Sequence, residues 1–273
     1  MTSFDEKILN AVCNIAGTTT TTTTTSNPFK GKWVSILGDS ISTFVGYNPD
    51  GQNPYYPTSD VTDVKQTWWH ILLTKLGAKL CVNESYGGRK VCGEAAADVV
   101  NAVSKLHRVK GQTYINLDGT TEIATEDIQP DIILILLGTN DFGASVTLGE
   151  LNKSTAGTEN MNVDFYNSYN SMLINIAGID YINAQIYLLN GVYSNAYNFI
   201  GYNTNKNTQV DFIKAVEETA RLFYIHCLHL ANIGVNGGNV KSFMASDGLH
   251  PKANMMKMIA NQCYNEMMAD NCL

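Results

Sequence analysis

Ile132-Ile133-Leu134-Ile135-Leu136-Leu137 is a run of six large apolar residues between Asp131 and Gly138. A strand with one face in water alternates apolar and polar residues, whereas a run apolar at every position has to be covered on both faces. The run therefore predicts the central strand of a parallel sheet, and a parallel sheet needs long crossover connections. Shorter β-rich segments at Trp33–Leu37, Lys79–Val82, Gln185–Leu189 and Phe223–Leu230 predict four more strands. Helical spacing predicts helices over 68–76, capped by Thr67 and closed by Gly77, over 92–107, 162–177 and 210–222, and a last one with Pro251 at its favoured first position. In the 92–107 segment Ala95, Val99, Val103 and Leu106 would share one face. Strand and helix alternate throughout, which predicts an α/β fold with one doubly wound, mostly parallel five-stranded sheet. Residues 112–125 predict a hairpin beside it.

The 273 residues are enough for one large domain, and 44% apolar with 16% charged residues is a globular balance. The net charge of −7 and the lack of a basic stripe exclude nucleic acid as the expected partner and argue against an anionic membrane surface. No apolar run reaches membrane-spanning length. Ahead of the mildly apolar Ile8–Gly17 stand Asp5, Glu6 and Lys7 rather than a basic region, so no secretory signal is visible. A cytoplasmic location is the default expectation, with a removed leader or another export route as alternatives. The six cysteines (Cys13, Cys81, Cys92, Cys227, Cys263, Cys272) form no CxxC pair, which predicts buried free thiols, with Cys263 and Cys272 the one pair near enough for a local disulfide.

Residues 1–28 predict a separate segment. Phe4, Ile8, Leu9, Val12 and Ile15 recur at helical spacing, and Thr18 to Thr25 are eight consecutive threonines with no apolar face to bury. This reads as a short helix on a linker, either a loose tail or a peptide for oligomerisation or attachment. The main domain is expected over 29–273.

Three polar clusters follow expected strands or turns. Gly38-Asp39-Ser40 could be an ordinary turn, Gly138-Thr139-Asn140-Asp141 a helix cap, and Asp247-Gly248-Leu249-His250 a solvated loop. Together they supply a hydroxyl, an amide, a carboxylate and an imidazole, all placed to meet at the C-terminal edge of one sheet, where open α/β folds bind ligands. A carboxylate three residues before a histidine can hold the Nδ1–H and leave Nε2 to accept a proton from Ser40. No Gly-x-Ser-x-Gly elbow is present, which argues against the α/β-hydrolase fold.

With Gly38-Asp39-Ser40-Ile41-Ser42, the Asn83–Gly88 turn, Gly138-Thr139-Asn140-Asp141 and Asp247-Gly248-Leu249-His250-Pro251 in this order over residues 33–268, the sequence resembles the SGNH hydrolases, the GDSL esterase/lipase superfamily. The resemblance implies a three-layer α/β/α sandwich of flavodoxin-like topology. It implies Ser40 as nucleophile, His250 as general base and acid, and Asp247 as the residue orienting His250. It also implies an oxyanion hole from the Ser40 and Gly88 backbone N–H groups with the Asn140 amide. The family usually shows Asn-x-Gly-x-x-Gly at the second cluster. Here Ser85 replaces the middle glycine, and Gly88 keeps the spacing from Asn83.

Neither metal nor organic cofactor is expected. His226, Cys227 and His229 lack a further ligand cluster, and packing explains them better than a metal. Trp68 and Trp69 read as core anchors, and His70 and His107 as helix-face residues. Tyr47, Tyr55, Tyr56, Tyr193, Tyr197 and Tyr202 lie in the two long loops after the first and fourth strands, which flank the site in a doubly wound sheet. Asp39, Tyr86, Asp141 and Tyr193 are the expected substrate contacts. Polar, tyrosine-rich loops suit a sugar face, so the expected substrate is a small-acyl ester, such as an O-acetyl group on carbohydrate. The rivals are a lipase or thioesterase for longer chains, and a glycan-binding module of a larger assembly.

Overall fold

The computed structural model describes residues 27–270 except 50, 96–97, 152–162, 182 and 197–200. The expected N-terminal helix and threonine linker fall outside the described residues, as do Cys13, Cys272 and Tyr197.

Five strands form one parallel sheet: β1 (Trp33–Gly38), β2 (Lys79–Asn83), β5 (Ile132–Leu136), β6 (Gln185–Leu189) and β7 (His226–Leu228), in the order β2-β1-β5-β6-β7. Strands β3 (Thr113–Ile115) and β4 (Thr121–Ile123) make the separate antiparallel hairpin. With the hairpin set aside this is the 2-1-3-4-5 order of flavodoxin-like sheets, whose direction of winding reverses between β1 and β5.

The central strand is buried at every position because its two faces belong to two apolar layers. Ile132, Leu134 and Leu136 join Val34, Ile36, Tyr187 and Leu189 on the layer packed by helices α1 (Trp68–Leu76) and α5 (Ala253–Asp270). Ile133 and Ile135 join Ile186 and Leu188 on the layer packed by α3 (Phe165–Leu173) and α4 (Gln209–Phe223). Trp68 and Trp69 are fully buried in the first layer, as expected of core anchors. Thr67 caps α1 through its side chain and Gly77 closes it in the left-handed conformation.

Four local expectations are corrected. Among the described residues of 92–107 there is no continuous helix; two short 3₁₀ turns at Val99–Asn101 and Val103–Lys105 bury Val99 and Val103, Leu106 is buried just after them, and Ala95 is exposed. The backbone donors go elsewhere: Val91 and Cys92 N–H to the Asp141 carboxylate, Ala95 N–H to Asp98, Val99 N–H to the Lys90 carbonyl and Leu106 N–H to the Tyr181 hydroxyl. Helix α3 ends at Leu173 and continues as a π-helical segment to Asp180. The fifth strand is only His226–Leu228, because α4 runs on to Phe223 and Tyr224 turns left-handed after it. Pro251 precedes α5 rather than opening it, forms an antiparallel bridge with Met244 and receives the Tyr56 hydroxyl on its carbonyl. Cys81, Cys92, Cys227 and Cys263 are free thiols.

Candidate active site

The sheet brings the first two clusters together before any side chain is considered. Gly38, the last residue of β1, is in register with Leu136, the last residue of β5. The chain leaves β1 into a 3₁₀ turn at Ser40–Ser42, and leaves β5 into the short helix α2 (Thr139–Gly143). Ser40 and Asn140 thus stand on adjacent strand ends at the point where the winding reverses, the usual ligand crevice of such sheets.

The Ser40 turn is held from several sides. Asp39 Oδ1 accepts the Ile41 N–H at 2.9 Å, and the Ser40 carbonyl accepts the Thr43 hydroxyl at 2.9 Å. Asn83, at the end of β2, donates its amide to the Ser42 carbonyl at 2.9 Å. The third cluster arrives on the turn before α5. Asp247 Oδ1 accepts the N–H groups of Leu249 and His250 at 2.8 and 3.0 Å, which fixes the turn. Gly248 has φ +70°, and a Cβ there would lie 2.3 Å from the Asn195 Oδ1, so this turn needs glycine. The Gly248 carbonyl accepts from the Ser194 hydroxyl and from the Asn195 and Ala196 N–H groups, tying the turn to the loop after β6.

These supports place His250 Nε2 2.8 Å from Ser40 Oγ and His250 Nδ1 2.7 Å from Asp247 Oδ2. Ser40 is 8% and His250 7% exposed, while the Asp247 side chain is 37% exposed. Burial raises the Asp247 carboxyl, but the His250 and Leu249 N–H groups, the Tyr55 hydroxyl and the His250 ring outweigh it and hold it well below the ordinary carboxylate range. Burial lowers the His250 imidazole, partly opposed by Asp247.

The Ser40 and Gly88 N–H groups have no hydrogen-bond partner among the described residues. Gly88 is exposed with φ +84°. The Asn140 side-chain amide donates one hydrogen to the Arg89 carbonyl at 3.0 Å, which fixes the side chain and leaves its second N–H.

Two of the expected substrate contacts are elsewhere. Asp39 and Asp141 are 1% and 0% exposed. Asp39 caps the Ser40 turn, and Asp141 receives the Val91 and Cys92 N–H groups. Both are closed off from solvent and serve the backbone around the site. Tyr86 and Tyr193 are half-buried. Among the loop aromatics, Tyr56 is buried, Tyr47 packs on Trp69 and Tyr202 is exposed. Tyr55 has a place that no local sequence signal indicates: its ring stacks on His250 and its hydroxyl donates to Asp247.

A cavity of about 640 Å³ lies beyond the outer edge of β2, lined by Tyr47, Leu80, Val82, Glu84, His107 and Tyr114 among others, but not by Ser40 or His250. No cluster of metal-ligating side chains occurs among the described residues, and none of their helices is long and apolar enough to cross a membrane.

Known proteins agree with this arrangement at the level of family and fold. A family model, GDSL-like Lipase/Acylhydrolase, matches residues 32–267. Two solved structures described as GDSL-like lipases, from Bacteroides ovatus ATCC 8483 and Bacteroides uniformis ATCC 8492, share 26% and 24% identity, each with a TM-score of 0.61. They align with 88% of this chain and with 99% and 96% of their own. A family two carbohydrate esterase from Clostridium thermocellum has the same fold at 14% identity and TM-score 0.54, over 87% of this chain and 63% of its own. No curated protein sequence matches the chain. A model spanning nearly the whole described domain settles the family: this chain belongs to the GDSL-like lipases and acylhydrolases and is an ester hydrolase.

Proposed function

We propose that the protein is a serine esterase that removes small acyl groups, O-acetyl on carbohydrate foremost, through a covalent acyl-enzyme. The observation that carries this reading is the unbroken line from Ser40 Oγ through His250 to Asp247, at 2.8 and 2.7 Å. Ser40 Oγ attacks the ester carbonyl carbon and passes its proton to His250 Nε2. The negative charge that develops on the carbonyl oxygen is met by the Ser40 and Gly88 N–H groups and the free Asn140 N–H. The imidazolium then protonates the leaving alcohol as the C–O bond breaks. A water repeats the sequence on the acyl-enzyme, giving up its proton to His250 and freeing the acid and Ser40. Asp247, held anionic, fixes the Nδ1–H tautomer and offsets the imidazolium charge.

The small-acyl, sugar-side reading rests on the polar surroundings of the site and on the open position of Gly88. The same fold serves a carbohydrate esterase in Clostridium thermocellum, a likeness of fold. The long-chain reading has one observation of its own. The 640 Å³ cavity presents Leu80, Val82 and Ile115 on the far side of the Asn83–Ser85 turn, to which Asn48 is bonded.

Ser40→Ala is expected to abolish hydrolysis of p-nitrophenyl acetate while the circular dichroism spectrum and melting curve stay unchanged. Full residual activity would remove Ser40 from the reaction. A series of esters from acetyl to palmitoyl separates the substrate readings: kcat/KM is expected to fall as the chain lengthens, and a maximum at long chains would transfer the assignment to a lipase or thioesterase.

A further inference from the structure

Tyr55 contacts both halves of the Asp247–His250 pair. Its ring lies over the His250 imidazole with centroids 3.3 Å apart and planes 9° from parallel. Its hydroxyl donates to Asp247 Oδ2 at 2.7 Å, the same oxygen that holds His250 Nδ1. Its backbone reaches the nucleophile turn as well: the Tyr55 N–H donates to Thr43 Oγ1 at 2.8 Å, and that hydroxyl donates to the Ser40 carbonyl. The next residue repeats the bridge, with the Tyr56 carbonyl accepting the Val45 N–H and the Tyr56 hydroxyl donating to the Pro251 carbonyl. Two adjacent tyrosines, packed edge to face against each other, therefore tie the loop carrying Ser40 to the turn carrying His250.

We infer that Tyr55 is a positioning residue for the esterase reaction, holding the His250 ring in plane and holding Asp247 Oδ2 on the Nδ1 side. The inference rests on the triad reading above. A buried imidazole between a hydroxyl and a carboxylate can rotate about its Cβ–Cγ bond unless something covers its face; a parallel ring at van der Waals distance does so. The carboxylate is the more exposed member of the pair; the Leu249 and His250 N–H groups hold its Oδ1, but Oδ2, with His250 alone, would be free to tilt toward water. A second hydrogen bond to the same oxygen removes that freedom. Because a phenol donates more weakly than an imidazolium, Asp247 can still strengthen its bond to His250 as the proton arrives from Ser40. The charged groups facing this pair are Asp247 itself and, on the tyrosine side, Asp60.

Two variants separate stacking from hydrogen bonding. Tyr55→Phe keeps the ring over His250 and removes only the donor to Asp247. Its kcat is expected to fall about tenfold with KM within about twofold, in keeping with the steep dependence of rate on alignment of the catalytic groups. Asp247 without that donor is more basic toward His250, so the acidic limb of the kcat/KM profile should move to higher pH. Tyr55→Ala removes both contacts and should cost about 100-fold in kcat. Burst titration with p-nitrophenyl acetate counts competent Ser40, so a loss caused by unfolding shows as fewer active sites, and a loss of positioning as slower turnover per site. Wild-type turnover per site and an unmoved limb in both Tyr55→Phe and Tyr55→Ala would overturn the inference, as would losses accounted for entirely by fewer sites. Ser40→Ala run in parallel distinguishes the levels: an active Ser40→Ala fells the triad reading and this inference together, whereas an inactive one with wild-type turnover in both Tyr55 variants fells this inference alone.

Discussion

In the proposed mechanism His250 takes the Ser40 proton only when it is neutral, so its titration would shape the rate. Burial pushes the imidazole below its ordinary value of 6.5, and the Asp247 carboxylate only partly restores it. As pH falls through that lowered pKa the ring becomes protonated and cannot accept; kcat/KM is therefore expected to fall on the acid side with a midpoint below 6.5 and to be level above it. A midpoint above 6.5 in a pH–rate series would mean that Asp247 outweighs burial. Asp247→Asn should lower kcat by about 10³-fold or more, since an amide can present its N–H to Nδ1 and stabilise the wrong tautomer. At this scale the candidate site was legible in the sequence, because a hydroxyl, an amide, and a carboxylate three residues before a histidine are readable as residue types, and the fold brings Ser40, His250 and Asp247 into contact. Tyr55 was readable only as one of several loop tyrosines. Its tie to Asp247 spans 192 positions, and nothing local encodes it. The burial of Asp39 and Asp141 was illegible for a related reason: a carboxylate that satisfies backbone N–H groups in the interior looks, in sequence, like one that faces a substrate.

Elements were legible where their own burial dictated them and illegible where a partner from elsewhere took over their backbone. The run 132–137 could be read because a strand covered on both faces must be apolar throughout. The run 92–107 has a helical apolar stripe and still forms 3₁₀ turns, since Asp141, Asp98 and Tyr181 capture its N–H groups. The β3–β4 hairpin is a case where one side chain carries an element. Strand β2 is at the edge of the sheet, and Arg108, fully buried, donates to the Leu80 and Cys81 carbonyls there at 2.7 Å each. The same guanidinium bonds the Ile115 carbonyl and the Asn116 and Glu122 side chains of the hairpin. It both pairs the open edge and fastens the hairpin to it. Arg108→Ala would leave at least two buried carbonyls unpaired, a loss of about 3 kcal/mol. Amide exchange should quicken first in 113–123 and in β2. Uniform loss of protection across the sheet would instead mean that the hairpin is not an independently fastened unit.

The whole molecule places several ionisable groups behind the crevice, and their titration should show in its stability. Asp39 is fully buried, with its Oδ2 without a hydrogen-bond partner among the described residues. Burial pushes its pKa up to about 7, with Asp141 adding to the rise and the Ile41 N–H and Arg89 opposing it. Glu84 is raised to about 7 and Asp141 to about 6, each mainly by burial. In the unfolded chain these carboxyls lose their protons near pH 4. Below that both states are protonated and the full contribution is present; above it the unfolded chain releases protons that the folded protein keeps. Stability should therefore decline as pH rises from about 4 to 7 and level off once the folded carboxyls have ionised too. Asp247 acts in a separate window and with the opposite sign: its depressed pKa adds stability above the unfolded value, lost as pH falls through the folded one. Asp39→Asn tests the first window directly. Asparagine can still accept the Ile41 N–H and carries no charge to bury. Its stability should be less steep in pH than wild type by up to about 1.4 kcal/mol per pH unit, the value for one proton. It should exceed wild type at pH 8 and match it most nearly at pH 4. Urea titrations at pH 4, 6 and 8 read both quantities. Parallel pH dependence in the two proteins would show that Asp39 folds with its charge intact, compensated by the Arg89 guanidinium.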